Sequence, residues 1–227
     1  MSDLAARLHR VRERIAAACA RAHRPEASVR LVAVSKTMSV AAVQEAMDAG
    51  QRVFGENRVQ EALEKIAGAG PHARWHLVGH LQKNKAKHAA GAFELIHGVD
   101  GRELAVELNR RSAERETRQQ VLVQANLAQE DSKHGAGEDG LMPLLETVAG
   151  LPHLELRGLM IIPPASDDPE LVRPWFRRLR ELRDAAATRL RRPLPELSMG
   201  MTDDFEVAIE EGATLIRVGR AIFGERA

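Results

Sequence analysis

The chain has 227 residues, of which 44% are hydrophobic and 29% are charged, which is typical of a soluble globular protein and excludes a disordered chain. Its 33 lysine and arginine residues balance 32 aspartate and glutamate residues, so the overall charge does not favour nucleic acid or a membrane surface as a partner. The single cysteine, Cys19, excludes an internal disulfide and favours a reducing compartment, while the sequence shows neither the apolar run of about 20 residues that a membrane span needs nor a signal-peptide pattern.

The first predicted element is an amphipathic helix near the N-terminus. Leu4, Leu8, Val11 and Ile15 recur at steps of three and four residues, so they lie on one face of a helix. Ser2 precedes this segment, in a position where its hydroxyl can cap the first turn.

Short apolar segments then alternate with longer amphipathic ones along the rest of the chain. The apolar segments predict strands at residues 30–34, 52–54, 75–78, 94–97, 121–125, 155–160, 196–198 and 214–218. The amphipathic segments predict helices at residues 39–49, 56–67, 84–90, 102–116, 140–149, 168–190 and 203–210.

This alternation determines the expected fold. Strands that alternate with helices pair in parallel through crossover connections. Eight such units within 227 residues predict an α/β protein with a single (β/α)8 TIM-type barrel, an extra N-terminal helix and one domain over residues 1–227. An open, doubly wound sheet is the competing arrangement.

One chemically useful side chain follows the first predicted strand. Lys36 comes directly after residues 31–35 (LVAVS), at the C-terminal end of that strand, where barrels collect functional groups. A lysine held against an apolar wall can have a lowered pKa and act as an amine nucleophile. From its position alone, an ordinary exposed lysine at the start of a loop is the alternative interpretation.

Two glycine-containing segments follow the last two predicted strands. They are residues 198–204 (SMGMTDD) and residues 217–224 (RVGRAIFG). Loops at these places in a barrel commonly bind phosphate through backbone N–H groups, to which glycine allows close approach. Because Arg217 and Arg220 add positive charge, the two segments together favour a phosphate site over simple helix capping and turn formation.

Two further patterns are only weak evidence for a binding site. Residues 135–140 (GAGEDG) match the dinucleotide-binding spacing G-x-G-x-x-G, but a polar stretch separates them from the preceding strand, which that fingerprint follows directly. His76 and His80 are four residues apart, but no acidic residue follows His76, so the zinc-binding pattern H-E-x-x-H is absent. We therefore predict no metal site.

Together these segments resemble the pyridoxal 5′-phosphate (PLP) homeostasis family. The matching motifs, spread over nearly the whole chain, are residues 32–37 (VAVSKT), 54–61 (FGENRVQE), 75–82 (WHLVGHLQ), 84–85 (NK), 132–135 (SKHG), 157–160 (RGLM), 197–201 (LSMGM) and 217–219 (RVG). The resemblance implies a single barrel of PLP fold type III, like the N-terminal domain of alanine racemase.

The resemblance also implies which residues bind the cofactor, and all of them lie in the matching motifs or directly beside them. They are Lys36, Asn57, His76, Ser198, Met199, Gly200, Arg217, Gly219 and Arg220. PLP would form a Schiff base with Lys36, and the glycine-containing segments would hold its phosphate. Arg217 would face the ring nitrogen or the phosphate edge, while Asn57 and His76 would line the side of the ring.

Arg220 is a departure from the family pattern, since many relatives have a small hydroxyl residue after the glycine that corresponds to Gly219. This difference removes a hydroxyl that could contact phosphate. The arginine could instead contact the phosphate itself or turn outward.

The main functional prediction is a PLP-binding protein of vitamin B6 homeostasis without robust catalysis. The resemblance implies a cytoplasmic monomer, with PLP as its ligand, apo-forms of PLP enzymes as candidate acceptors, and no catalytic residue. A racemase-like enzyme is the alternative, but the tyrosine that alanine racemases use for proton transfer has no counterpart here, because the chain contains no tyrosine. An oxidoreductase that uses residues 135–140 is a third hypothesis.

Overall fold

The computed structural model describes residues 2–128 and 134–224 and contains a closed barrel of eight parallel strands. The strands are β1 (Arg30–Val34), β2 (Val53–Glu56), β3 (Arg74–Leu77), β4 (Leu95–Val99), β5 (Gln119–Ala125), β6 (Leu154–Ile161), β7 (Glu196–Ser198) and β8 (Leu215–Val218). They are hydrogen-bonded in chain order, and β8 pairs with β1 to close the barrel. The predicted (β/α)8 barrel is confirmed. Residues 132–133 of the matching motifs lie outside the described residues.

Helices fill the gaps between the strands and cover the outside of the barrel. They are α1 (Asp3–Arg21), α2 (Val40–Asp48), α3 (Val59–Ala69), α4 (Ala86–Ala89), α5 (Arg102–Glu114), α6 (Glu138–Ala149), α7 (Arg173–Leu190), α8 (Phe205–Glu210) and α9 (Arg220–Phe223). The extra N-terminal helix α1 packs against α2, α8 and α9, and the Ser2 hydroxyl caps it by accepting a hydrogen bond from the Ala5 N–H. No helix within the described ranges is long and apolar enough to cross a membrane.

Most element boundaries differ from the sequence prediction by one to three residues, and three differences are of particular note. Strand β2 continues to Glu56 and α3 starts only at Val59, because the fully buried Glu56 side chain is held beside β1 by other polar groups. The predicted helix from residue 168 begins as a 3-10 turn, Pro169–Val172, before α7. The last helix, α9, was not predicted, since four residues are too few to show an amphipathic period.

Two apolar layers hold the barrel together. The larger one lies between the strands and the helices and includes Phe54, Phe176 and Phe205. The smaller one fills the barrel interior and consists of Val32, Val53, Val78, Leu95, Leu122, Met160 and Leu215. Polar side chains share that interior, since His97 on β4 contacts Ser198 on β7, and strands three places apart can meet only across the barrel.

Candidate functional site

A cavity of about 790 Å³ opens at the C-terminal ends of the strands. Five of the residues predicted for the cofactor site line it, namely Lys36, Asn57, Arg217, Gly219 and Arg220. The fold brings them together because all strands of a parallel barrel end at the same face. Met201, Thr202 and Asp203 also line this cavity.

Lys36 lies in a turn that is fastened on both sides. Its side chain is half-buried and lines the cavity. The preceding Ser35 N–H donates to the Gly55 carbonyl, and the following Thr37 N–H donates to Glu61 Oε1 at 2.5 Å. Thr37 has a φ of +66°, a left-handed conformation that costs a β-branched residue energy and needs such support.

A buried polar cluster lies behind this turn, formed by Lys65, Glu56, Glu61 and Ser35. Lys65 Nζ donates to Glu56 Oε1 at 2.8 Å, to Glu61 Oε1 at 2.7 Å and to the Ser35 carbonyl at 2.6 Å. The Ser35 hydroxyl donates to Glu56 Oε1 at 2.6 Å. Burial raises the pKa of Glu56, although the bonds from Lys65 and Ser35 oppose the rise.

This cluster, referred to below as the Lys65 cluster, was missed by the sequence reasoning. The available signal was a lysine within the buried stripe of a helix, since Lys65 shares its face of α3 with Val59, Ala62 and Ala69. A buried lysine requires a carboxylate partner, and that requirement points to the glutamates nearby. The cluster fixes the backbone on either side of Lys36 and so positions the amine.

Arg217 is almost entirely buried, at 5% exposure, yet it lines the cavity. Its Nη1 donates to Ser198 Oγ at 2.6 Å and its Nη2 donates to the Ile161 carbonyl at 2.9 Å. Burial lowers the pKa of Arg217 to about 10, against the opposing charge of Asp204, so the guanidinium stays cationic at neutral pH. Within residues 2–128 and 134–224 no carboxylate lies within ion-pair distance of it.

Ser198, Met199 and Gly200, predicted to bind the cofactor, lie below the surface of the cavity. All three are fully or almost fully buried and do not line the cavity. The Ser198 hydroxyl is the acceptor for Arg217, and the Gly200 carbonyl accepts the Arg217 N–H. The chain reaches the cavity only at Met201, because a turn intervenes after β7.

Gly200 makes that turn, and no other residue type fits there. Its φ is +90°, and a Cβ atom would lie 2.6 Å from the Ala208 Cβ and 2.9 Å from the Phe205 Cα. The close packing against α8 directs the next three residues to the cavity rim. Residues 201–203 are therefore the part of this segment that lines the cavity.

Arg220 turns toward the loop that follows β7. Its Nη2 donates to Asp203 Oδ2 at 2.5 Å, and both side chains are more than half exposed. The ion pair connects the loops after β7 and β8 across the cavity rim. Of the two arrangements considered from the sequence, the structure shows the arginine turned outward onto a carboxylate.

His76, predicted to line the side of the ring, lies in the barrel interior in the structure. Its side chain is fully buried inside the barrel, with Nδ1 3.0 Å from His97 Nε2, and it does not line the cavity. Val78, two residues further along the chain and also in the barrel interior, does line the cavity, so His76 lies deeper in the barrel.

His80 does line the cavity, as part of a cluster with Asp100 and His134. His80 Nδ1 lies 3.0 Å from Asp100 Oδ2, and the ring of His134 stacks on that of His80 with centroids 3.5 Å apart. The possible ligand atoms of the three residues lie within 4.8 Å of one another. In stacked rings the nitrogen lone pairs lie in separate parallel planes, so these imidazoles would have to rotate before both could bind one metal ion.

The charges around the cavity favour an anionic ligand. Lys36 and Arg217 contribute positive groups, whereas Arg220 and Asp203 are paired with each other. An amine, a buried guanidinium and two loops at the ends of β7 and β8 are the groups that a phosphorylated aldehyde requires.

Comparison with known proteins agrees with this chemistry. The family described as "Alanine racemase, N-terminal domain" matches residues 6–227. The pyridoxal phosphate homeostasis protein of Aquifex aeolicus (strain VF5) is 46% identical over 221 residues, covering 97% of this chain and 97% of that protein. A solved structure from Bifidobacterium adolescentis has a TM-score of 0.91 at 36% identity and covers 98% of this chain and 97% of its own. The structure of PipY of Synechococcus elongatus PCC7942 with PLP bound has a TM-score of 0.83 at 39% identity and covers 94% of this chain and 100% of its own.

Proposed function

The chain belongs to the pyridoxal phosphate homeostasis protein family, and we propose that it binds PLP in the C-terminal cavity as a Schiff base with Lys36. Its role is then in intracellular PLP homeostasis, in the cytoplasm, without robust catalysis and with apo-forms of PLP enzymes as candidate acceptors. The supporting observation is that Lys36, Arg217 and the loops after β7 and β8 meet around one cavity.

The residues around the cavity fit PLP. A volume of about 790 Å³ falls within the roughly 300–1,000 Å³ typical of small-molecule sites. Lys36 supplies the amine, and the segments at Met201–Thr202 and Gly219–Arg220 lie where barrels commonly hold phosphate. When bound, PLP supplies an aldehyde for the amine and a conjugated ring that accepts electrons.

Arg217 limits the chemistry that this site supports. A guanidinium can only donate hydrogen bonds, so it cannot take a proton from a ring nitrogen. Its positive charge disfavours protonation of a ring that it faces, which leaves that ring a weak electron sink. Together with the absence of tyrosine from the sequence, this property favours binding over turnover.

His80 keeps a racemase-like activity as the second candidate. Its Nδ1 is bonded to Asp100, an arrangement that in enzymes leaves Nε2 to exchange protons with a substrate. His80 and Lys36 line the same cavity, so two proton-transfer groups are available on it.

The proposed function is tested by reduction with borohydride followed by peptide mass spectrometry. We expect visible absorption of the PLP-loaded protein and a reduced pyridoxyl adduct on Lys36. The Lys36→Ala variant should lose the adduct, while the control Lys83→Ala, at an exposed lysine paired with Glu103, should keep it. An adduct on Lys83 or Lys85 in the wild-type protein would contradict the assignment.

The racemase-like alternative is tested by incubating the loaded protein with L- and D-amino acids in deuterated water. We expect no multiple-turnover exchange of the α-hydrogen. Turnover at rates typical of enzymes, about 1–10³ per second, that is lost in His80→Ala would support the alternative instead.

A further inference from the structure

We propose that two buried histidines, His97 and His76, are positioning residues for Arg217. They act through the Ser198 hydroxyl. The four side chains form a chain of hydrogen bonds across the barrel interior, in which each group donates to the next one away from Arg217. This chain holds the guanidinium at the cavity floor. The chain is a property of the protein alone. What Arg217 faces in the cavity rests on the proposed PLP binding.

The chain consists of short contacts between side chains of four strands. Arg217 Nη1 lies 2.6 Å from Ser198 Oγ, which lies 2.8 Å from His97 Nδ1. His97 Nε2 then lies 3.0 Å from His76 Nδ1. At the far end, His76 Nε2 is buried without a hydrogen-bond partner, 3.9 Å from Glu94 Oε1.

The protonation of Arg217 determines the direction of every bond in this chain. Because a guanidinium only donates, Ser198 Oγ accepts from it. Among the described residues His97 Nδ1 is the one acceptor that the structure places within hydrogen-bond distance of this hydroxyl, so the hydroxyl hydrogen is donated to it. An accepting Nδ1 places the proton of the neutral His97 ring on Nε2, from which it is donated to His76 Nδ1. His76 is therefore also protonated on Nε2, on the side of Glu94.

Both imidazoles are held neutral by their surroundings. Burial lowers the pKa of His76, although Glu94 opposes the change. Burial also lowers the pKa of His97 far below its ordinary value, and the positive charges of Arg217 and Arg30 act in the same direction. Neutral rings can act as both donor and acceptor, which a chain with one direction requires.

The chain orients Arg217 and does not deliver protons to the cavity. Arg217, the member of the chain that lines the cavity, keeps its proton at neutral pH, so no proton passes through it. Barrel interiors are usually filled by branched apolar side chains, and polar groups there cost free energy unless they are bonded. The bonds to Ser198 and the Ile161 carbonyl fix the plane of the guanidinium, and the two histidines fix Ser198.

The direct test is the tautomeric state of the histidines in the PLP-free protein, measured by two-bond ¹H–¹⁵N correlation NMR. We expect His97 and His76 to be neutral and protonated on Nε2 at pH 7. Arg217→Met removes the obligatory donor, so we expect a population of His97 protonated on Nδ1. A wild-type His97 protonated on Nδ1, or a tautomer unchanged in Arg217→Met, would overturn the proposal.

The second measurement is PLP affinity by absorbance titration. His97→Leu breaks the chain, and we expect about tenfold weaker PLP binding and a shifted visible band. His97→Gln can accept from Ser198 and donate to His76, so it should recover part of both. The matched control is Leu95→Ala, which alters interior packing on the same strand, beside His76, without removing a hydrogen-bonding group of the chain.

An equal loss in Leu95→Ala and His97→Leu, or no loss in His97→Leu, would contradict a positioning role. If the wild-type protein failed to bind PLP, the proposed function would fail, whereas the tautomers measured in the PLP-free protein would still decide the proposal about the chain.

Discussion

Two buried cations of this barrel have different partners, since one is paired with carboxylates and the other is not. Lys65, on the outer side of β1 and β2, contacts the carboxylates of Glu56 and Glu61 at 2.8 and 2.7 Å. Arg217, at the barrel mouth, donates only to a hydroxyl and a backbone carbonyl, and no described carboxylate pairs with it. The charge of the first is neutralised within the protein, while the second remains positive toward the cavity.

This difference gives the two cations different roles, structural support for Lys65 and ligand binding for Arg217. A compensated cation has no charge left for a ligand, so the Lys65 cluster stabilises the turn that carries Lys36. A cation without an ion-pair partner in a site of low dielectric attracts an anion, although the charge of Asp204 offsets part of that attraction at Arg217. Removal of the first should therefore reduce stability, and removal of the second should reduce ligand affinity.

The largest effect is expected for Lys65→Met. The substitution leaves Glu56 fully buried without its cation, and breaking a buried ion pair costs about 3–5 kcal/mol. We expect the free energy of unfolding, measured by urea denaturation, to fall by this amount. The control Lys83→Met, at an exposed lysine, should change it little. A small effect of Lys65→Met would mean that the cluster is not needed for stability.

The pH dependence of the same variant sharpens this prediction. Burial raises the pKa of Glu56, and removing Lys65 takes away the main opposing contact. A carboxyl whose pKa is higher in the folded state binds more protons when folded, so its contribution to stability falls as the pH rises through that raised pKa. We expect the stability deficit of Lys65→Met to be largest near pH 8 and to shrink as the pH falls toward the ordinary glutamate pKa. A deficit independent of pH would show that Glu56 is not its cause.

Arg217→Met should act mainly on binding. A charge-assisted hydrogen bond contributes about 1.5–3 kcal/mol, so PLP affinity in an absorbance titration should fall by tenfold or more. Arg217→Lys keeps the charge but cannot make both bonds, to Ser198 and to the Ile161 carbonyl, and should lie between wild type and Arg217→Met. If Arg217→Met kept the PLP affinity of the wild type, with an intact fold by circular dichroism, Arg217 would not be needed for binding.

The smallest effect is expected for Arg220→Ala. Its ion pair with Asp203 is more than half exposed on both sides, and such pairs change stability by less than about 0.5 kcal/mol. PLP affinity should fall less than in Arg217→Met, because solvent screens a cation at the rim. An affinity loss larger than that of Arg217→Met would show that the main contact to the anion is made by Arg220 at the cavity rim and not by Arg217 at its floor.

Local patterns in the sequence were sufficient for the class of fold and left an open, doubly wound sheet as the alternative to the barrel. Apolar segments of strand length alternate with amphipathic segments, and the strong preference for right-handed parallel crossovers leaves few arrangements of eight such units. The same reasoning placed Lys36 and Gly219 on the cavity, because both follow strands and all parallel strands of a barrel end at one face.

Tertiary structure alone decided how the side chains around the cavity are used. Ser198 and His97 are 101 positions apart, and their contact across the barrel assigns Ser198 to Arg217 instead of to the cavity. Likewise, Lys65 finds Glu56 only after α3 has packed against β2. A local sequence pattern predicts a strand or a helix from its period, but it does not predict which polar group, distant in sequence, will form a hydrogen bond with a buried polar side chain. That pairing follows from the closure of the barrel, which removes water and leaves each buried donor only the acceptors that the fold brings within reach.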